Sequence, residues 1–110
     1  MTIETCLQLV DDMMPNCLPA DMKLRFLGEV EGRVRVELLG EDPSAVSVLT
    51  SRTPTGTELT VPYPFDQLYW QYLLAMLGYV SGDTARYENA ALLFNASYQS
   101  YGKWLKRRGA

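Results

Sequence analysis

Apolar side chains recur at helical spacing near the start of the chain. Thr2 is a favourable N-cap residue, because its hydroxyl can accept a hydrogen bond from the first turn of a helix. Pro15 ends the pattern, since a proline ring does not fit inside a helix. The repeating apolar positions are Ile3, Leu7, Val10 and Met14. The pattern predicts a first helix that begins after Thr2 and ends before Pro15.

A second helix is predicted from about Pro19 to Gly40. Proline suits a first helical turn, Asp21 favours the positive N-terminal end, and glycine commonly follows a last turn. Its apolar stripe is Leu27, Val30, Val34 and Leu38. Polar and apolar residues alternate over 33–38, which is also typical of an exposed strand, and two glycines weaken a helix here. The longer window favours the helix.

Residues 40–62 differ in character from the segments around them. Prolines and a glycine interrupt a stretch rich in serine and threonine. Two short runs, Val46–Leu49 and Leu59–Val61, have strand-like composition and are separated by a turn-forming Thr-Pro-Thr-Gly sequence. A loop, an extended arm and a short hairpin therefore all remain open, and a loop this long is often functional or mobile.

Two further helices are predicted at about 64–80 and 83–106. Pro64 suits the first turn of the earlier helix, and Asp83 is a favourable N-cap for the later one. Only three residues join the two helices, so they are expected to pack antiparallel as a hairpin. The apolar positions of the later helix alternate spacings of four and three, which keeps one face on a partner helix: Tyr87, Ala91, Phe94, Tyr98, Tyr101 and Leu105.

These elements predict an all-α fold of one domain. The expected architecture is a small helical bundle with a long C-terminal antiparallel helical hairpin and an extended loop or short hairpin in the middle. Within residues 1–110, the N-terminal helices occupy 1–39, the loop or arm 40–62, and the hairpin 63–108. A chain of 110 residues is close to the commonest size of one domain and buries enough surface for one core.

Composition adds constraints on location and on partners. The formal net charge is −3, and ten of the thirteen acids lie before residue 63. The first residues do not form a signal peptide, and no apolar run reaches the roughly 20 residues that span a bilayer. Both cysteines, Cys6 and Cys17, lie among apolar residues and are expected to be buried free thiols. We expect a protein made in the cytoplasm that does not enter a membrane.

The sequence lacks the residue patterns of most enzymes and metalloproteins. It contains no histidine, which is the usual general base near neutral pH and the commonest metal ligand. It has no pair of cysteines at zinc-site spacing and no glycine-rich phosphate-binding loop. We therefore expect no enzymatic activity, no metal and no cofactor.

All seven tyrosines and both tryptophans follow residue 62. Core packing accounts for some of them, but so many polar-tipped rings on one hairpin indicate that some face outward as a protein interface. The interface candidates are Tyr63, Tyr69, Trp70, Tyr79, Tyr101 and Trp104. Trp70 and Trp104 are the expected anchors, because tryptophan truncation is often costly at interfaces.

The C-terminus carries a basic tip made of Lys103, Lys106, Arg107 and Arg108. Cations at the end of a helix complement the helix dipole without any partner. A basic tip beside a tryptophan also suits a phosphate or an acidic protein surface. Both interpretations remain open.

Several sequence motifs resemble those of a family of small prophage proteins. The similar segments are VPYPFDQLY at 61–69, YVSGD at 79–83, RYEN at 86–89, LFNASYQSY at 93–101, MTIETCL at 1–7 and EVEGRV at 29–34. They cover nearly the whole chain and are weakest over 40–57. The stretch Ala45–Leu49 and the strength of the basic tip depart from the family pattern.

The resemblance implies a structural role in tailed bacteriophages. These proteins resemble the head–tail connector, or adaptor, group, which is helical and assembles as a ring beneath the capsid portal. The implied partners are further copies of the chain and phage portal or tail proteins, with nucleic acid at most passing through the lumen. The implied location is the virion or the bacterial host cytoplasm. The alternatives are a nucleic-acid-binding phage accessory protein, such as a small packaging subunit, and a helical adaptor outside phage biology.

Overall fold

The computed structural model describes residues 1–109 and confirms the all-α prediction. The first two helices are followed by a π-helical turn at Val34–Leu38 and a 3₁₀ turn at Pro43–Ala45. The four α-helices are α1 (Ile3–Met13), α2 (Ala20–Arg33), α3 (Gln67–Ser81) and α4 (Thr84–Arg107). No helix within these residues is both long enough and apolar enough to cross a membrane.

Helix α1 begins and ends close to the predicted positions. Helix α2 begins where predicted, but its α-helical part ends at Arg33, before the predicted end near Gly40. The Thr2 hydroxyl accepts a hydrogen bond of 3.1 Å from the backbone nitrogen of Thr5, which caps α1. The alternation over 33–38 does not become a strand, because α2 continues directly into the π-helical turn. Gly40 follows with a φ of 72°, a left-handed conformation that glycine adopts without strain.

Residues 40–66 form an extended loop. Of the loop, arm and hairpin that the sequence left open for residues 40–62, the structure has the loop. The loop makes an antiparallel backbone bridge between Glu58 and Thr2. Its first part, residues 43–51, crosses α2 and is called the strap below. A Cβ on Gly28 would lie 3.3 Å from Leu49, and one on Gly32 would lie 3.2 Å from Val46. The two glycines of α2 therefore make room for the strap.

Helices α3 and α4 follow each other after a short turn and pack together. The Asp83 carboxylate accepts a hydrogen bond of 3.2 Å from the Arg86 backbone nitrogen and caps α4. Helix α3 begins later than predicted, at Gln67, because Pro62 and Phe65 first form a hydrogen-bonded turn. At the closed end, a Cβ on Gly78 would lie 2.8 Å from the Tyr87 backbone nitrogen. A side chain at this position has no room, so the glycine sets how closely α3 approaches α4.

Helix α3 is the centre of the core. It packs against α1, α2 and α4, and its side chains are buried or half-buried along most of its length. The residues with no exposed surface come from α1, α2, the π-helical turn, the end of the loop and α3: Ile3, Cys6, Val10, Leu27, Val30, Val34, Val61, Leu68, Tyr69 and Leu73.

A buried polar cluster joins α2, the loop and α3. The Tyr69 hydroxyl donates a hydrogen bond of 2.6 Å to the Glu31 carboxylate and accepts one of 2.9 Å from the Val61 backbone nitrogen. The same carboxylate accepts hydrogen bonds from the Thr60 nitrogen at 3.0 Å and the Thr60 hydroxyl at 2.9 Å. Burial and the adjacent carboxylate raise the pKa of Tyr69, so the phenol stays protonated as a donor.

The two cysteines differ in environment. Cys6 is buried as predicted, and burial raises the pKa of its thiol to about 12. Cys17 is exposed, so the expectation that both thiols are buried was wrong for this residue. It lies in the linker after α1, beyond the apolar stripe that faces the core.

Replacing Tyr69 with phenylalanine tests the buried cluster. The substitution leaves the Val61 nitrogen and the Glu31 carboxylate each without one buried partner, so we expect a loss of about 1–3 kcal/mol in the free energy of unfolding. Tyr72→Phe is the matched control, because its hydroxyl bonds Glu29 at an exposed site, and it should lose less than about 1 kcal/mol. Urea denaturation of both variants measures the difference. Equal losses would contradict this role of the cluster.

Replacing Gly78 with alanine tests the close contact between α3 and α4. The new methyl group forces the helices apart, and we expect a loss of about 1–3 kcal/mol. Gly102→Ala is the control, because its Cβ would lie 3.5 Å from Leu38, an ordinary contact, and alanine is the better helix former by about 1 kcal/mol. Thermal unfolding should rank Gly102→Ala above the wild type and Gly78→Ala below it. The opposite order would refute the contact.

Candidate protein–protein interface

Two of the six aromatic interface candidates are buried in the core. Tyr69 has no exposed surface and holds the Glu31 cluster, and Tyr101 is almost fully buried. The Tyr101 ring lies 5.4 Å from Phe65 and 5.9 Å from Trp104, measured between ring centroids. These two candidates therefore do not face outward: Tyr69 lies against Glu31 of α2 and Val61 of the loop, and Tyr101 lies against Phe65 and Trp104.

The two tryptophans are half-buried and pack against the same core. The Trp104 ring lies 5.3 Å from the Phe65 ring, measured between centroids. The Arg108 guanidinium carbon lies 4.6 Å from the centroid of the Trp104 ring. Each ring therefore has a packing role inside the monomer. The prediction that Trp70 and Trp104 anchor an interface stays a prediction.

Tyr63 and Tyr79 are the candidates that face solvent. Tyr63 is 86% exposed and Tyr79 is 66% exposed. The Tyr79 ring lies 5.7 Å from the Tyr87 ring, next to the exposed Val80 at the closed end of the hairpin. These three residues form an exposed apolar surface, called the hairpin end below. Exposed aromatic rings with polar tips are enriched at protein interfaces.

The outer face of α4 is a surface that the sequence interpretation missed. Leu92 is 69% exposed and Leu93 is 55% exposed, on the side of α4 that faces away from α3. The sequence interpretation followed the aromatic stripe of α4, which packs inward. The missed signal was the absence of charge: no residue from Asn89 to Gly102 carries one. An exposed helix face normally carries charged side chains.

Charges are found at both ends of this uncharged face. Glu88 lies before it and Lys103 after it, and both are exposed. Among residues 1–109, neither side chain makes a salt bridge, whereas the nearby Arg86 pairs with Asp83 at 3.3 Å. The face is therefore apolar in its middle and oppositely charged at its ends.

The basic tip lies at the last turn of α4 and just beyond it. Its four side chains are exposed: Lys103, Lys106, Arg107 and Arg108. Lys106 and Arg107 sit in the last turn, where they complement the negative end of the helix dipole. Favourable interaction with the helix dipole therefore accounts for Lys106 and Arg107 without a partner. The exposed tip is also accessible to an external anion.

The strap presents one more exposed apolar side chain. Val48 is 71% exposed, while Val46 and Leu49 point toward α2. No charged residue occurs between Asp42 and Arg52. The strap, the hairpin end and the outer face of α4 thus each present exposed apolar side chains, on three different elements.

Across residues 1–109, no three side chains of histidine, cysteine, aspartate or glutamate converge as a metal site would require. Several acidic side chains instead make ion pairs within the fold, such as Asp11 with Lys23 at 2.9 Å and Glu41 with Arg35 at 2.8 Å.

No protein-family model matches this chain, and no curated protein or solved structure shows detectable similarity to it.

Proposed function

We propose that the protein is a structural component of tailed-phage assembly, a head–tail connector that forms a ring between the portal and the tail. The observation that carries the proposal is the presence of exposed apolar side chains on separate elements of one small helical domain. Val48 marks the first on the strap, Tyr79 the second at the hairpin end, and Leu92 the third on α4. The motif resemblance to small prophage proteins supplies the phage context.

Separate surfaces suit a ring for a geometric reason. A ring requires a heterologous interface, in which one surface contacts a different surface on the next copy. A chain with a single self-complementary surface forms a closed two-fold dimer instead. A connector also needs a surface for the portal or tail proteins, in addition to the two used between neighbours.

The charge distribution is compatible with passage of DNA through a lumen. The chain has a net charge of −3, and a surface of like charge to DNA does not retain it. The proposed location is the virion, with the free protein in the bacterial host cytoplasm.

A second function is favoured by one observation, the exposed basic tip. Lys103, Lys106 and Arg107 make no salt bridge among the described residues and cluster at one end of α4. A small packaging subunit that binds DNA phosphates would use such a cluster. The acidic remainder of the chain weighs against it, because DNA-binding domains generally present a larger basic surface.

Loading onto portal-bearing capsids tests the connector role. We expect the purified chain to bind capsids that carry the portal and not capsids that lack it. Val48→Glu and Tyr79→Glu each replace an exposed apolar side chain with a charged one, and at least one of them should reduce loading about tenfold or more. Thr55→Glu is the control, because it adds the same charge at an exposed polar position of the loop. Failure of the wild type to load would refute the proposal.

A salt-titrated DNA-binding assay separates the two functions. A connector should have little affinity for duplex DNA at any salt concentration. A packaging subunit should bind tightly at low salt and lose affinity steeply as salt rises, because binding releases counterions. Replacing Lys106 and Arg107 together with glutamine should remove that binding. Tight, salt-dependent binding that this variant loses would favour the packaging role over the connector.

A further inference from the structure

Helix α4 carries two opposite stripes with the same spacing. The inner stripe packs on α3 through residues such as Phe94 and Tyr101. The outer stripe consists of exposed residues separated alternately by four and three positions: Ala85, Asn89, Leu92, Ala96, Gln99 and Lys103. This spacing is the seam by which two helices pack along their length. The inner seam has its partner within the chain, and among residues 1–109 the outer seam has none.

The composition of the outer seam is that of a contact surface. Fourteen consecutive residues, Asn89–Gly102, include no charged side chain. Interface centres are depleted of charge, whereas a solvated helix face is rich in it. Alanine at two seam positions also permits close approach of a second helix, and Leu92 supplies the apolar side chain to be covered.

The charges at the two ends of the seam identify the partner and its direction. Glu88 stands at the N-terminal end and Lys103 at the C-terminal end. Two parallel copies of α4 would place lysine against lysine and glutamate against glutamate, which is repulsive. Two antiparallel copies place Lys103 of each opposite Ala85 of the other, within one helical turn of Glu88. We propose that the outer face of α4 binds the same face of a second copy of the chain, as an antiparallel two-fold pair.

The spacing of the seam also fixes the register of the pair. With the two-fold axis near residue 94, Leu92 faces Ala96 of the second copy, and Asn89 faces Gln99 of the second copy. Leu93 lies beside the axis and approaches its own counterpart. Polar residues at seam positions specify register in paired helices, and Asn89 with Gln99 serves that purpose here.

The small contact area between the two copies of α4 indicates a weak association. A helix of 24 residues is roughly 36 Å long, and a strip about 10 Å wide offers about 360 Å² of facing surface. A standard interface buries about 800 Å² on each partner. We therefore expect a weak, reversible dimer with a Kd on the order of 10–100 µM.

The pair is independent of the proposed connector role. A two-fold contact closes on itself and does not generate a ring, so ring contacts would use the strap and the hairpin end. The weak pair would open before the outer face of α4 contacts portal or tail proteins. Failure of the dimer would leave the connector proposal intact, and failure of capsid loading would leave the dimer intact.

Sedimentation equilibrium of the full chain tests the pair. The wild type should associate reversibly, with measurements extended to about 0.5 mM to cover the expected Kd. Leu92→Glu should weaken association at least tenfold, because it buries two uncompensated carboxylates at the centre of the pair. Met13→Glu is the control, since Met13 is also an exposed apolar side chain, 47% exposed, and lies on α1, outside every surface proposed for contact. This control should associate like the wild type.

Charge reversal tests the antiparallel register. Glu88→Lys alone and Lys103→Glu alone should each weaken association about tenfold, because each puts like charges together at two symmetric contacts. The double variant Glu88→Lys with Lys103→Glu restores opposite charges and should recover most of the wild-type affinity. Arg52→Glu controls for the change in net charge caused by Lys103→Glu, since Arg52 lies on the exposed loop.

Three results would overturn the proposal. The first is a wild-type chain that stays monomeric at about 0.5 mM, well above the expected Kd. The second is equal weakening by Met13→Glu and Leu92→Glu, which would place the contact elsewhere. The third is failure of the double charge reversal to recover affinity when each single reversal weakens it, because this would exclude the pairing of Glu88 with Lys103. Circular dichroism of every variant confirms that the helices remain folded.

Discussion

The arrangement of the N-terminal half depends on the hydrogen bonds that the Glu31 carboxylate accepts. Glu31 is an acid on the buried side of α2, and burying an acid is unfavourable unless its oxygens receive hydrogen bonds. Those hydrogen bonds come from Thr60 in the loop and Tyr69 in α3. One side chain therefore determines where the loop ends and how α3 lies against α2. An apolar residue at this position would fill the space without specifying either.

The hairpin is organised by shape more than by polar contacts. Gly78 lets α3 and α4 approach closely at one end, and the rings of Phe65, Tyr101 and Trp104 fill the other end. Between them, α4 uses one stripe for the core and leaves the opposite stripe uncharged and exposed. One face of α4 is therefore buried in the core, and the opposite face is exposed to solvent. The same division separates residues that keep the monomer folded from residues free to contact a partner.

The sequence predicted those features that depend on neighbouring residues. Thr2 and Asp83 cap their helices through hydrogen bonds within three positions, so the beginnings of α1 and α4 were predictable. The burial of Tyr69 was not, because its partner Glu31 lies 38 residues away and only the folded chain brings the two together. A weak signal existed: Glu31 falls between Leu27 and Val34 on the apolar stripe of α2.

Surface features were harder to predict than helices for a related reason. A tyrosine serves equally well in a core or at an interface, so aromatic content alone placed Tyr101 on the wrong side. Leucine at helical spacing suggests core, and Leu92 is nonetheless exposed. Periodicity identifies the faces of a helix, but two faces of α4 have the same period. The distribution of charge along the helix distinguishes the two faces. Among the described residues, the outer stripe is uncharged in its middle and has the unpaired Glu88 and Lys103 near its two ends.

The separation of Glu31 from its partners has a consequence for the order in which the chain folds. The α3–α4 hairpin needs only a tight turn and makes contacts that are local in sequence, so it is suited to form early. The Glu31 contacts span 29 and 38 residues and require closure of the whole loop. The carboxylate stays hydrated until that closure occurs, so docking of α2 onto α3 is the slow and cooperative event. Substitutions at Glu31 and Thr60 should then act mainly on the rate of unfolding, while substitutions in the hairpin act on the rate of folding.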